Sequence, residues 1–276
     1  MNFNLLDARR KSSHSLLIIN RSIFKIVKKN TSSGLQFFLI TGLMCLFFIF
    51  VPVKETMAKK SLNFSGYTWQ VKQSTQRAVG PGPNYWSGSS RNLWVDDSGN
   101  LHLRIDEHRG RWYSSEIWLD EALGYGTYKF TVKLPREFFD RNVVLGLFNY
   151  LDDSKEFDIE ISKWAGRYDG NAGFAVQPAD SKDNIYRFSL DLNKGTKKIL
   201  SFTWLKENLT FSCENFSGEG CIPTKPENRW EYGGNSLPEG ELKTHINLWL
   251  VDGNPPTNGE ETEVIIEDFT FNPVDS

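Results

Sequence analysis

Beyond residue 60, apolar and polar residues alternate in short runs, and Gly, Pro, Asn or Asp interrupts each run before it reaches helical length. "NLWVDD", "SGN" and "LHLRID" read as two strands and their turn. "SSEIWL", "GTYKFTVKL", "VVLGLFNY", "EFDIEIS", "AGFAVQP", "YRFSLDL", "KILSFTWL", "LTFSCE", "THINLWLV" and "EVIIEDFTF" follow. A parallel α/β fold needs a helix between successive strands, and the connections are too short to hold them. The pattern predicts an all-β chain, a sandwich or barrel of mostly antiparallel strands.

The first 58 residues differ. They carry eight basic and two acidic residues, leaving 24 basic against 32 acidic in the remainder, a net charge of −8. Residues 35–53, "LQFFLITGLMCLFFIFVPV", hold no charge. At helical rise they would span about 28 Å, close to the thickness of a bilayer core. The basic flank before them orients the remainder across the membrane, so residues 1–58 read as a signal anchor or a signal peptide with "TMA" at its end. Residues 59–276 are then one domain, secreted or held at the membrane outside the cytoplasm. An acidic domain argues against a nucleic-acid partner. In an oxidising compartment, Cys213 and Cys221 at the ends of "CENFSGEGC" are candidates for a disulfide.

Alternation also assigns faces. In "EFDIEIS", Phe157, Ile159 and Ile161 point one way and Glu156, Asp158, Glu160 and Ser162 the other. The apolar side must be core, which leaves three carboxylates on the opposite face of the sheet. In "NLWLV", Asn247, Trp249 and Val251 share the outer face. In "WYSSEIWL", Glu116 and Trp118 do. Large aromatics beside polar groups on an outer sheet face indicate a groove, and Trp164 just after the acidic strand fits the same pattern.

Three acids in a row suit an ordinary solvated face, and carboxylates suit calcium, but acids along one straight strand converge poorly on one ion. Glycosidic bond cleavage uses them better. Glu156 and Glu160 have Cα atoms about 13 Å apart on a strand. Long side chains leaning together can approach the roughly 5 Å that a retaining mechanism needs. The shorter Asp158 fits between them. Crowding of like charges drives their pKa values apart and supplies an acid and a nucleophile together. His14 precedes the apolar segment, and His102, His108 and His245 show no zinc-ligand spacing and are read as strand or loop residues with ordinary partners. "GPGP" at 80–83 reads as a rigid turn.

Over residues 62–273 the sequence resembles glycoside hydrolase family 16, the family of lichenases and laminarinases. "EFDIE" is similar to its Glu-x-Asp-x-Glu signature, with "GYGTYKFTVKLP" before it resembling the strand that leads to the active site and "INLWL" after it the far wall of the cleft. The resemblance implies a concanavalin-like β-jelly roll that cleaves β-linked glucans or galactans with retention and without a cofactor. It implies Glu156 as nucleophile, Asp158 as its assistant and Glu160 as acid/base. Glu116, Asn247 and Trp249 match positions that contact sugar. Phe148 and Tyr150 match cleft-lining aromatics, and Asn84 and Trp86 lie near a substrate-binding loop. Asp268 matches a structural calcium position. Ser154 and Lys155 stand where lichenases carry a Trp, and Trp118 stands where an Arg is usual. A transglycosylase on the same substrates and a lectin-like binding protein are the alternative readings.

Overall fold

The computed structural model describes residues 60–222, 229–234 and 237–274. The apolar segment 35–53 lies outside them, and with it the signal or anchor reading. Among the described residues, no helix is long and apolar enough to cross a membrane.

Two large antiparallel sheets make up most of the domain, with a small two-stranded one, Ser74–Val79 and Asn84–Trp86, beside them. The first has eight strands in the spatial order Ser61–Phe64, Tyr67–Val71, Ser115–Leu119, Lys243–Leu250, Val143–Asp152, Lys155–Ser162, Ala172–Val176 and Ile185–Phe188. The second runs Arg229–Glu231, Leu209–Asn215, Lys197–Trp204, Gly126–Lys133, Thr262–Pro273, Leu101–His108 and Leu93–Val95, with Arg111–Tyr113 also paired to Leu101–His108. The hairpin read from "NLWVDD-SGN-LHLRID" is present, with Trp94 opposite His102. His102 has ordinary partners, Asp96, Glu263 and the stacked Trp94 ring.

The core lies between the sheets and follows the alternation. Phe157, Ile159 and Ile161 are buried in it, as are Leu145 and Leu147 from the neighbouring strand and Ile246 and Leu248 from the next. Phe157 packs edge-on to Phe202 at 4.9 Å and against Trp204 at 5.4 Å, so the second sheet grips the back of the acidic strand. The strand "GTYKFTVKL" occupies a different place from the one expected. It sits in the second sheet between Lys197–Trp204 and Thr262–Pro273, away from the acidic residues. There Tyr128, Phe130 and Val132 face the core, and Lys129 and Lys133 face solvent.

Cys213 and Cys221 are bonded, with Cα atoms 5.4 Å apart, and close the turn after the Leu209–Asn215 strand. Asp268 lies at a register shift between Thr262–Pro273 and Gly126–Lys133. Its carboxylate accepts a hydrogen bond from Ser65 Oγ at 3.1 Å, which ties the turn of the first hairpin to the second sheet. Among the described residues, no group of three or more His, Cys, Asp or Glu could hold a metal ion, so the calcium expectation for Asp268 gains no ligand set.

Candidate active site

The face of the first sheet turned away from the core carries the acidic strand in a regular register. No bulge interrupts residues 156–160, and the nearest register shift lies beyond Tyr150. Strand pairing therefore sorts the outward side chains into rungs across the sheet. One rung holds Glu116, Asn247, Gly146, Glu160, Gly173 and Arg187. The next holds Trp118, His245, Phe148, Asp158 and Ala175. A third brings Tyr150 opposite Glu156. Three like charges on alternate residues thus become the centre of a two-dimensional array.

These rungs line a pocket of about 380 Å3. Glu156, Asp158, Glu160, Glu116, Asn247, Trp249, Phe148 and Tyr150 all border it. Gly146 matters for its lack of a side chain: a Cβ there would stand 2.5 Å from Asn247 Oδ1. That oxygen is buried and has no hydrogen-bond partner among the described residues.

Electrostatics distinguishes the two ends of the pocket. Burial raises the Glu156 carboxyl well above the usual range, and the negative charges of Asp158 and Glu160 push it further. Burial raises Asp158 as well, opposed by hydrogen bonds from Glu156 and from Gln177, whose Nε2 lies 3.3 Å away. Glu160 is raised by burial and by Asp158, with Arg187 acting in the opposite sense. The cluster therefore retains protons at neutral pH, and Glu156 and Asp158 share one. Glu116 behaves differently. Burial alone would raise it, but the His245 hydrogen bond and the Lys72 charge hold it below the usual value. Lys72 Nζ lies 2.8 Å from Glu116 Oε2, and Asn247 Nδ2 lies 3.4 Å from the same oxygen.

Lys72 and His245 were not anticipated as site residues. Besides its pairing with Glu116, the Lys72 ammonium lies 4.1 Å from the centre of the Trp86 ring. His245 borders the pocket, hydrogen-bonded to Glu116 at 3.3 Å and stacked on Phe148 at 4.9 Å. Its spacing of two from Asn247 was the available signal. Trp118 stacks on the other side of His245 at 6.1 Å and does not border the pocket. Trp164 packs edge-on to Trp249 at 5.7 Å and supports that wall from outside.

Two residues expected near substrate serve as supports. Asn84 is buried, and its amide spans Pro81 O and Leu250 O, both at 2.8 Å. Its Oδ1 accepts from Ser114 Oγ and Leu250 N. Trp86 is wholly buried, with its indole N–H donated to Val79 O. Together they fix the "GPGP" turn, whose Gly80 and Pro81 border the pocket beside Lys72.

Chains of known structure share this fold at low sequence identity. The Bacillus licheniformis β-glucanase superposes with a TM-score of 0.55 at 15% identity, covering 78% of this chain and 99% of its own. A prokaryotic β-1,3-1,4-glucanase (lichenase) from a mouse hindgut metagenome gives 0.54 at 16%, with the same coverage of 78% and 99%. A Bacteroides ovatus mixed-linkage-glucan glycoside hydrolase of family 16, in complex with a G4G4G3G product, gives 0.50 at 16%, covering 74% and 94%. No protein-family model and no curated protein sequence matches the chain. The fold is that of the family 16 β-glucanases.

Proposed function

We propose that the protein is a glycoside hydrolase that cleaves β-linked polysaccharide, of the glucan or galactan class, internally and with retention of configuration. The observation that carries this reading is the placement of Glu156, Asp158 and Glu160 on one pocket wall, beneath a sheet face that also presents Asn247, Trp249 and Phe148. Binding alone has no use for a buried Asp158 flanked by two half-buried glutamates whose proton affinity it raises. The fold shared with β-glucanases supports the same class of substrate.

In the first step, Glu156 attacks the anomeric carbon while the glycosidic C–O bond breaks and Glu160 donates its proton to the leaving oxygen. The proton that Glu156 shares with Asp158 moves to Asp158, which leaves Glu156 ionised for attack. In the second step, Glu160 takes a proton from water, the hydroxide oxygen bonds to the anomeric carbon, and Glu156 departs. Ionised Glu116, paired with Lys72, and Asn247 hold sugar hydroxyls. Trp249 and Phe148 give the ring an apolar wall. Cavities of about 760 and 710 Å3 open beyond either end of the acidic strand, and a polymer running past the pocket suits them. Residues 1–58 are proposed, from sequence, to carry this domain out of the cytoplasm or anchor it to the membrane.

The test is incubation of the protein with a panel of soluble β-glucans and galactans, with product masses read with and without an acceptor oligosaccharide. New reducing ends from the wild type and none from Glu156→Gln support hydrolysis. Elongated products in the presence of acceptor would assign transglycosylation instead. Binding without any product from either would assign a lectin.

A further inference from the structure

We propose that the cleft carries a subsite for an anionic substituent of the polysaccharide, a carboxylate or a sulfate ester, and that Arg187 recognises it. The inference deepens the proposed function and rests on it for the identity of the bound chain.

Arg187 follows Glu160 and Gly173 on one rung. Its Cα is two strand spacings, about 10 Å, from that of Glu160. Gly173 places no side chain between them. A Cβ there would stand 3.1 Å from Tyr186 O and 3.6 Å from Arg187 Cγ, so the bare backbone keeps this part of the face open.

Arg187 has no direct ion-pair partner, although its charge reaches Glu160 on the same rung and lowers that carboxyl's pKa. Two other cations near the cleft have carboxylate partners: Lys72 with Glu116, and Arg167 with Asp252. Among the described residues, Arg187 makes no ion pair, and its guanidinium makes no hydrogen bond. It lies instead over the Tyr168 ring, 3.8 Å from the centroid. That contact holds the guanidinium over the ring, and its N–H donors can make two-pronged contact with carboxylate or sulfate. Arg187 and Tyr168 line the cavity of about 710 Å3 with Arg167, Gly170 and Phe188, and Asp169 is the one carboxylate there. A neutral chain lying over Arg187 would strip water from a charge that has no direct partner, at a cost. A chain bearing an anion would supply the missing partner. Tyr168 is half exposed, so the second face of its ring remains available to a sugar.

The full-length protein is assayed on three forms of one mixed-linkage β-glucan: the neutral polymer, a form partly oxidised to the C6 carboxylate, and a partly sulfated form. The wild type should show a kcat/KM about tenfold or more higher on at least one anionic form, expressed mainly in KM. Whichever form gains identifies the substituent, and the advantage should shrink at high salt. Arg187→Gln should lower kcat/KM on that form at least about tenfold more than on the neutral polymer, and Arg187→Lys should restore part of the difference. An equal loss on all forms would assign Arg187 to tuning Glu160 and overturn the subsite, as would a wild type indifferent to charge. If no polymer is cleaved, calorimetric titration of Glu156→Gln with anionic and neutral oligosaccharides decides the subsite separately from catalysis. Tighter binding of the anionic form, lost in the Arg187→Gln double variant, supports it. Equal binding overturns it.

Discussion

The Lys72 ammonium lies 2.8 Å from the Glu116 carboxylate, although the two residues stand 44 positions apart and one is on a strand near the sheet edge. Glu116 is buried, so this pair and the His245 hydrogen bond keep it ionised at the cleft floor. Lys72→Met should cost roughly 2–3 kcal/mol at pH 7, the price of a buried carboxylate left without its cation. In the wild type the lowered Glu116 pKa gives stability present above the unfolded carboxyl range and lost as pH falls through the folded value. In Lys72→Met burial acts with less opposition. The difference between the two proteins should therefore shrink as pH falls below about 4. Urea titrations at pH 7 and pH 4 measure it. A pH-independent difference would remove Glu116 from the explanation.

Glu160 carries the opposite sign. Its folded pKa is raised by burial and by Asp158. Stability linked to such a group is fully present below the unfolded value and is lost as pH rises toward the folded value. Glu160→Gln should match the wild type in stability near pH 4 and exceed it increasingly as pH rises, while losing at least about a thousandfold in kcat. Because burial and Asp158 raise the Glu160 pKa, the alkaline limb of the wild-type rate profile should fall above the ordinary carboxyl range. Thermal melts across pH 4–9 check the first part. Parallel melting curves for the two proteins would contradict it.

Gly146 separates Asn247 from Glu160 on their rung. Gly146→Ala places a methyl 2.5 Å from Asn247 Oδ1 and 3.5 Å from Phe148 Cδ1, so the amide must swing away. Because misplacement of about 1 Å can cost on the order of a hundredfold, activity should fall by roughly that factor. The loss of stability should be modest, since the neighbour that yields is a side chain at the pocket. Steady-state kinetics and a melting curve on one preparation separate the effects. Unchanged activity would exclude Asn247 from substrate contact.

Much of this site could be read from alternation, because a strand with one buried face declares the direction of every side chain. Glu156, Asp158, Glu160, Glu116 and Asn247 each lie on the outward side of their own strand, as alternation predicts. Alternation does not say which strands are neighbours. Lys72 became a site residue only through the pairing of Tyr67–Val71 with Ser115–Leu119. His245 was on the right face by spacing, yet without zinc-ligand company it read as structural. The strand "GTYKFTVKL" shows the converse, since its pattern is equally regular and only its pairing places it in the other sheet. Asn84 and Trp86 were near the substrate loop in sequence, but their polar atoms are spent inside the protein.

Phe157 lies on the reverse of the acidic strand, wholly buried against Phe202 and Trp204. Phe157→Ala should destabilise the domain by about 3–5 kcal/mol through the cavity it leaves. The protein that remains folded should also turn over more slowly, because the gap lies behind Glu156 and Asp158. Phe157→Leu fills part of the space and should recover most of both losses. Denaturant unfolding with activity normalised to folded protein gives both numbers. Full specific activity in Phe157→Ala would show that the strand holds its position without this anchor.

The central claim is that Glu156 and Glu160 work on the same linkage from one wall of the pocket, close enough for direct attack. Proton NMR of a β-glucan oligosaccharide during the first minutes of cleavage tests it most directly. The account predicts that the new reducing end appears first as the β-anomer, with the α-anomer growing in only by slow mutarotation. Initial appearance of the α-anomer would mean inversion, with a water between the carboxyls in place of a covalent intermediate, and would contradict the assignment.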